Sequence, residues 1–217
     1  MIESTLHLRT IGALVFAAAL SGCGGGGSAV TQGPDSGPAN SELDVPRTVS
    51  GLRGGAEALL DIWTPNGFAS YTPLAVVPST GAATYDGYIF GDLSDDAVVD
   101  SLVGRLTLEA SFGASDVSFG GSATDFVDQQ DAPLNGTLQV SGGSFNRDGN
   151  PASDATLRGI TVAGTLQDNA GTSMIVGVQL EGDFLGSSAD AIGGEAIGRV
   201  TIGTASQDFD GGFIVAE

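Results

Sequence analysis

The stretch Gly182-Asp-Phe-Leu-Gly-Ser-Ser-Ala-Asp-Ala-Ile-Gly-Gly-Glu-Ala-Ile-Gly198 joins two segments in which apolar and polar residues alternate. Alternation with a period of two is typical of a half-buried β-strand. Phe184 completes the apolar face of the first strand, Ser187–Ala191 forms a turn of small residues, and Ile192 begins the next strand. The stretch therefore predicts a strand–turn–strand corner. Its acidic residues would repel a phosphate, so we do not interpret the glycines as an anion-binding loop.

The same alternation recurs along the second half of the chain and predicts eight strands. They are expected at Tyr85–Asp92, Leu102–Phe112, Val117–Phe126, Leu134–Ser141, Leu157–Leu166, Met174–Phe184, Ile192–Ile202 and Phe209–Ala216. Turn-forming Gly, Asn and Asp residues separate them. No helical pattern of ten or more residues lies between consecutive strands, which disfavours parallel crossovers. We therefore expect an all-β fold whose strands are mainly antiparallel.

Strand count and pattern leave two architectures open, a barrel and a sandwich. Eight strands joined in order can close on themselves and remove exposed edges. Glycines inside the strands favour closure, because they permit coiling and close approach of the backbones. The expected glycines lie at positions 87, 91, 104, 136, 159, 177, 194 and 198.

The N-terminus has the features of a secreted lipoprotein. An uncharged apolar run at Ile11–Leu20 follows Arg9 and is too short to span a bilayer. Leu20-Ser-Gly-Cys23 then resembles the bacterial lipobox, which implies acylation of Cys23, the single cysteine, and cleavage before it. The alternative is an ordinary signal peptide with an incidental cysteine. Since Gly24 rather than aspartate follows Cys23, the resemblance implies the outer membrane as the destination.

We expect three regions: a signal peptide at 1–22, a lipidated Cys23 with a flexible Gly/Ser/Pro tether at 23–50, and a β-barrel domain at 51–217 whose strand-rich core spans 82–217. Ala56–Trp63 fits a short helix or a first strand equally well. Pro65, Pro73 and Pro78 indicate irregular packing rather than a central strand between 64 and 80.

Composition excludes several classes of function. The net charge is −19, with 26 acidic residues against 7 basic ones, so nucleic acid is not an expected partner. His7 is the only histidine and lies in the predicted signal peptide. The mature chain would then lack both imidazole and a free thiol, so we expect no Ser-His-Asp or Cys-His catalysis, no zinc or haem ligation and no cofactor. We expect the protein not to be an enzyme.

Carboxylates are the remaining chemical candidates. They form two groups beside predicted turns, Asp95 and Asp96 with Asp100, and Asp208 with Asp210. We interpret both groups as solvated or capping rather than catalytic. Asp208-Phe-Asp-Gly211 is only a fragment of a calcium loop and predicts weak calcium binding at most.

Aromatic and basic residues within the predicted strands have structural interpretations. We expect core or sheet-face packing, rather than a binding platform, for Trp63, Tyr85, Tyr88 and Phe90. Cross-strand ion pairs with Glu109, Glu195 or Glu181 are expected for Arg105, Arg158 and Arg199.

Residues 82–217 resemble the β-barrel domain of transferrin-binding-protein-B-like surface lipoproteins. The resemblance is carried by Ala110-Ser-Phe-Gly-Ala-Ser-Asp-Val-Ser-Phe-Gly-Gly-Ser-Ala123 with Phe126 after it, Leu134-Asn-Gly-Thr-Leu138, Gly182–Gly198 and Gly212-Phe-Ile-Val-Ala-Glu217. It implies an eight-stranded barrel with a filled interior, anchored in the membrane by N-terminal acyl chains. It also implies a non-catalytic role in binding an extracellular protein, such as an iron carrier or haem protein. No ligand-contact residue of the family matches this chain.

Two other functions stay open at this point. One is a structural envelope lipoprotein with no soluble ligand, and the other is an enzyme that uses carboxylates alone. For a binding module, the longest polar loops, 92–101, 127–133 and 146–154, are the expected contact regions.

Overall fold

The computed structural model describes residues 44–67, 69–94, 99–145, 147 and 155–217. The predicted signal peptide, Cys23 and most of the tether lie outside these residues. Within the described residues, no helix is both long and apolar enough to cross a membrane.

Eight antiparallel strands form one closed barrel. They are β1 Gly81–Ser94, β2 Val99–Phe112, β3 Val117–Asp128, β4 Leu138–Ser144, β5 Thr156–Gln167, β6 Ser173–Leu185, β7 Ala191–Ile202 and β8 Ala205–Ala216. Each strand pairs with the next, and β8 pairs with β1 to complete the ring. The predicted all-β barrel is therefore confirmed, and the sandwich alternative is wrong.

Strand β4 begins four residues later than the alternation predicts. Leu134 is buried as expected, but Asn135 makes only an isolated bridge with Gln167. Gly136 then adopts a φ of 134°, and a Cβ there would lie 2.5 Å from the Thr165 carbonyl oxygen. This positive φ interrupts the regular ladder, so regular pairing with β5 starts only at Gln139.

The barrel interior is filled by side chains. Phe184 is fully buried, and its ring centroid lies 6.0 to 6.5 Å from the rings of Tyr85, Phe112, Phe119 and Phe145. An eight-stranded barrel is just wide enough for side chains to fill it. Hydrophobic burial in this cluster is the main stabilising contribution to the fold.

The corner Gly182–Gly198 forms nearly as predicted, with β6 ending at Leu185 and β7 starting at Ala191, one residue early. Gly182 and Gly194 lie directly opposite each other in the ladder. A Cβ on Gly194 would lie 2.1 Å from the Glu181 carbonyl oxygen, so only glycine permits this approach of the two backbones. The predicted role of this glycine in close strand packing is supported.

A helix, α1 Val49–Trp63, lies on the outside of the barrel and decides the open question for residues 56–63. Thr48 caps it, accepting a hydrogen bond of 3.1 Å at Oγ1 from the Gly51 N–H. The buried stripe recurs at helical spacing: Leu52, Gly55, Ala56 and Leu59. The stripe belongs to a second hydrophobic cluster, shared with outward-facing residues of the barrel wall that include Tyr88 and Ile214.

The segment after α1 closes one end of the barrel, and we call its residues 69–77 the plug. A 3₁₀ turn, Pro65–Gly67, leads into irregular backbone, as the three prolines predict. Thr72 is fully buried: its N–H donates to the Phe184 carbonyl at 2.9 Å and its Oγ1 donates to the Gly186 carbonyl at 2.7 Å. Leu74 and Val77 insert into the interior cluster. The corner Gly182–Gly198 therefore also holds the plug in place, through the carbonyl groups of Phe184 and Gly186.

Of the three strand arginines, Arg105 and Arg199 pair with aspartates, so their predicted glutamate partners are wrong, and Arg158 forms no ion pair within the described residues. Arg105 Nε lies 3.7 Å from Asp125 Oδ2, and Arg199 Nε lies 3.1 Å from Asp208 Oδ1. Arg199 stands opposite Asp208 in the ladder, whereas Glu195 stands opposite Gly212 and Glu181. The register between neighbouring strands decides which residues pair, and the apolar–polar alternation of a sequence does not reveal that register.

Candidate binding surfaces

Within the described residues, apolar side chains occupy the barrel interior. Its side chains form one continuous apolar cluster that reaches from Leu93 to the plug. The Tyr85 hydroxyl is satisfied within the structure, since it donates to the Ala189 carbonyl at 2.9 Å. Burial raises the pKa of Tyr85, and the charges of Glu217 and Asp190 raise it further. Tyr85 therefore stays neutral and serves packing, as the sequence predicts.

A small groove lies between α1 and the barrel wall. It encloses about 210 Å³ and is lined by Arg53, Ala56, Glu57, Leu60 and Phe90. The guanidinium of Arg53 is held at its edge, because Nη2 donates to Asp92 Oδ1 at 2.7 Å. This volume is below the roughly 300 Å³ at which small-molecule pockets begin. The groove fits the predicted packing role of Phe90 better than a ligand site.

The plugged end of the barrel presents apolar side chains on rigid backbone. Tyr71 is 47% exposed and Val76 is 45% exposed. Tyr71 forms a bridge with Leu185, and the Gly186 N–H donates to the Ser70 carbonyl at 2.8 Å. Exposed apolar residues held by a β scaffold are a frequent form of protein-binding site.

The outer face of β6, β7 and β8 carries a second candidate surface, which we call the acidic wall. It consists of Gln179, Glu181, Glu195, Ile197 and Asp210, all of which alternate outward. Glu181 stands directly opposite Glu195, and Ile197 stands between Gln179 on one side and Asp210 on the other. Four of the five line a shallow groove of about 240 Å³, and Asp210 adjoins it.

The candidate site residues of the sequence are only partly within the described chain. Cys23, Asp95 and Asp96 lie outside it, as does most of the loop 146–154. Asp208 forms an ion pair of 3.1 Å with Arg199, and both side chains are largely exposed. Across residues 44–217, where described, no group of three or more His, Cys, Asp or Glu is arranged to hold a metal ion.

The acidic wall is the surface that sequence reasoning missed. Each of its residues is readable as the polar side of a strand, and Ile197 looks like one more member of an alternating run. Which residues stand beside one another follows from the register of three strands. The sequence indicated only that Glu195 and Ile197, two residues apart on one strand, lie on the same outward face.

No family model matches this chain, and no curated protein matches it either. Evidence about function therefore comes from the chain's own sequence motifs and surfaces.

Proposed function

We propose that this protein is a lipid-anchored, non-catalytic binding module of the transferrin-binding-protein-B-like kind. Acyl chains on Cys23 hold it at the bacterial outer membrane, and an extracellular protein binds to the outside of the barrel. Capture of a nutrient carrier, an iron carrier or a haem protein, is the role that the sequence resemblance supports. Several acyl chains together give stable membrane attachment, where one would be marginal.

The observation that carries this proposal is the filled barrel. With Phe184 and its four neighbouring rings occupying the interior, recognition has to use the outer surface. Exposed large apolar residues lie on the plugged end, with Tyr71 and Val76, on α1, with Ile62, and on the outer face of β6 and β7, with Ile175 and with Ile197 of the acidic wall. The closed eight-stranded barrel is also the fold that the resemblance implies.

The non-catalytic part of the proposal is supported by the residues available. After removal of the predicted signal peptide, the chain has no histidine, and its one cysteine is the predicted acylation site. Carboxylate pairs alone can cleave glycosidic bonds when they flank a cleft. Asp208 and Asp210 instead lie on a convex outer wall, and Asp208 is in an ion pair with Arg199.

Photo-cross-linking in the cells that produce the protein tests this function. A photoreactive phenylalanine analogue is placed at Tyr71 or at Ile197, both about half exposed. We expect at least one position to give a discrete cross-linked protein that is found in the membrane fraction. The same variant with Cys23→Ser should lose membrane association.

The outcomes separate the alternatives. Membrane association that is unchanged in Cys23→Ser contradicts the lipid anchor. Membrane association without a cross-linked protein at either position favours a structural envelope lipoprotein and contradicts the binding function.

A further inference from the structure

We infer that the acidic wall docks a basic protein surface in which arginine or lysine side chains flank an apolar one. This inference rests on the proposed function and names the surface and the partner chemistry that it uses.

The first step is the like-charge pair at the centre of the wall. Glu181 and Glu195 are direct cross-strand partners, and residues in that relation have Cβ atoms about 4.5–5.5 Å apart. Like charges in direct opposition destabilise a sheet. Among the described ion pairs, all formed by arginines with aspartates, neither glutamate takes part. A locally unfavourable arrangement with no compensating contact in the described chain is typical of a functional surface.

The second step is the apolar residue beside that pair. Ile197 is 54% exposed, although it lies on a regular central strand with neighbours on both sides. One exposed isoleucine alone is ordinary. Here it stands between Gln179 and Asp210, two residues after Glu195, and lines the same groove as both glutamates. An apolar contact framed by carboxylates is the complement of an apolar residue framed by cations.

The third step is charge. Two arginines lie near this wall: Arg199 on β7 is paired with Asp208, and Arg158 lies at the bulge of β5 that faces Glu181 but forms no ion pair within the described residues. The wall stays negative, because the carboxylates of Glu181, Glu195 and Asp210 outnumber the charge of Arg158. Complementary potential increases association rates and suppresses wrong partners. A metal ion fits this wall less well than a protein does, because the described residues form no three-carboxylate cluster. The side chain of Ile197 also has no atom that could coordinate a metal.

The adjacent part of the barrel wall, where α1 packs on β1, β2 and β8, supplies a precedent. There the outward-facing residues Tyr88 and Ile214 are covered by Leu52 and Leu59 of α1. The outer wall of this barrel can thus accept an apolar element lying across its strands. In the described chain no such element covers Ile197, which leaves the acidic wall available to another protein.

The test uses the full chain in detergent and a synthetic peptide of alternating arginine and leucine, titrated by calorimetry. A peptide of alternating glutamate and leucine is the probe control. The double variant Glu181→Gln and Glu195→Gln removes the pair. The matched variant Glu109→Gln and Asp61→Asn removes two exposed charges elsewhere. We expect about tenfold weaker binding for the first and less than about twofold change for the second, because each exposed ion pair contributes at most about 1 kcal/mol. Ile197→Ser should also weaken binding.

Stability supplies a second readout. Removing the repulsion should raise the melting temperature of the Glu181/Glu195 double variant, whereas a structural role for these glutamates predicts a lower one. Four results would each overturn the inference. They are equal weakening in both double variants, no saturable binding of the arginine–leucine peptide, binding of the glutamate–leucine peptide, and displacement of the arginine–leucine peptide by calcium alone. If a protein cross-links to position 71 but none to position 197, this inference is overturned and the proposed function is left intact. If no protein cross-links at either position, the proposed function itself is contradicted.

Discussion

Replacing Phe184 by alanine is expected to cost roughly 3–5 kcal/mol of unfolding free energy, the usual range for a buried Phe→Ala change. Phe184 is fully buried and its ring contacts the rings of Tyr85, Phe112, Phe119 and Phe145. The cavity would open where the plug and the corner meet, and the surrounding backbone is fixed by the closed ladder. Urea denaturation followed by circular dichroism measures the change. A domain with a typical stability of about 5–15 kcal/mol would lose a large share of it.

Tyr71→Ala is the matched control, since it also removes an aromatic ring from the plugged end but from a half-exposed position. Surface changes of this kind stay within about 0.5 kcal/mol. If the two variants lose the same stability, the ring cluster around Phe184 is not the centre of the core.

Replacing Gly194 by alanine is expected to destabilise the barrel by about 1–3 kcal/mol, the range for overpacking. The new Cβ would lie 2.1 Å from the Glu181 carbonyl oxygen and 2.4 Å from the Gly182 Cα. Both neighbours are backbone, so they cannot rotate away, and β6 and β7 would have to separate. Thermal and urea unfolding of the variant give the measurement.

Gly177→Ala on β6 makes the prediction specific. A Cβ at Gly177 meets no atom within 4 Å, and its backbone is not in the left-handed region. Alanine there should be neutral or stabilise by about 0.4–1 kcal/mol, because it restricts the unfolded chain. The two glycine variants are therefore expected to differ in sign. A loss of the same size at both positions would contradict a steric role for Gly194.

Most of the fold could be predicted because period-two alternation records which side of each strand is buried. Alternation located all eight strands, and the corner at Gly182–Gly198 was placed to within one residue. Strand β4 was misplaced because Leu134 is buried without belonging to a regular strand. Residues 56–63 stayed ambiguous because so short an apolar run fits both periods. The helix became evident only from its contacts with the outer wall.

The surfaces were less predictable, because they depend on which strands are neighbours and in what register. Arg199 pairs with Asp208 and not with a glutamate because β7 and β8 align those two residues. The same alignment brings Glu181, Glu195 and Ile197 onto one wall. The plug is a tertiary feature as well, since Thr72 binds carbonyl groups more than one hundred residues away. Cys23 was predictable from its motif alone and remains a prediction.

A filled barrel separates this protein from carriers that hold a ligand inside their strands. A fatty-acid titration followed by NMR of the methyl groups tests that claim most directly. The interior methyls of Leu106, Val162 and Val178 are 0–1% exposed. We expect their resonances to stay unshifted while the outer surface remains free to bind protein. Saturable shifts of these interior methyls would mean that the barrel opens to enclose a ligand, and would contradict recognition by its outside.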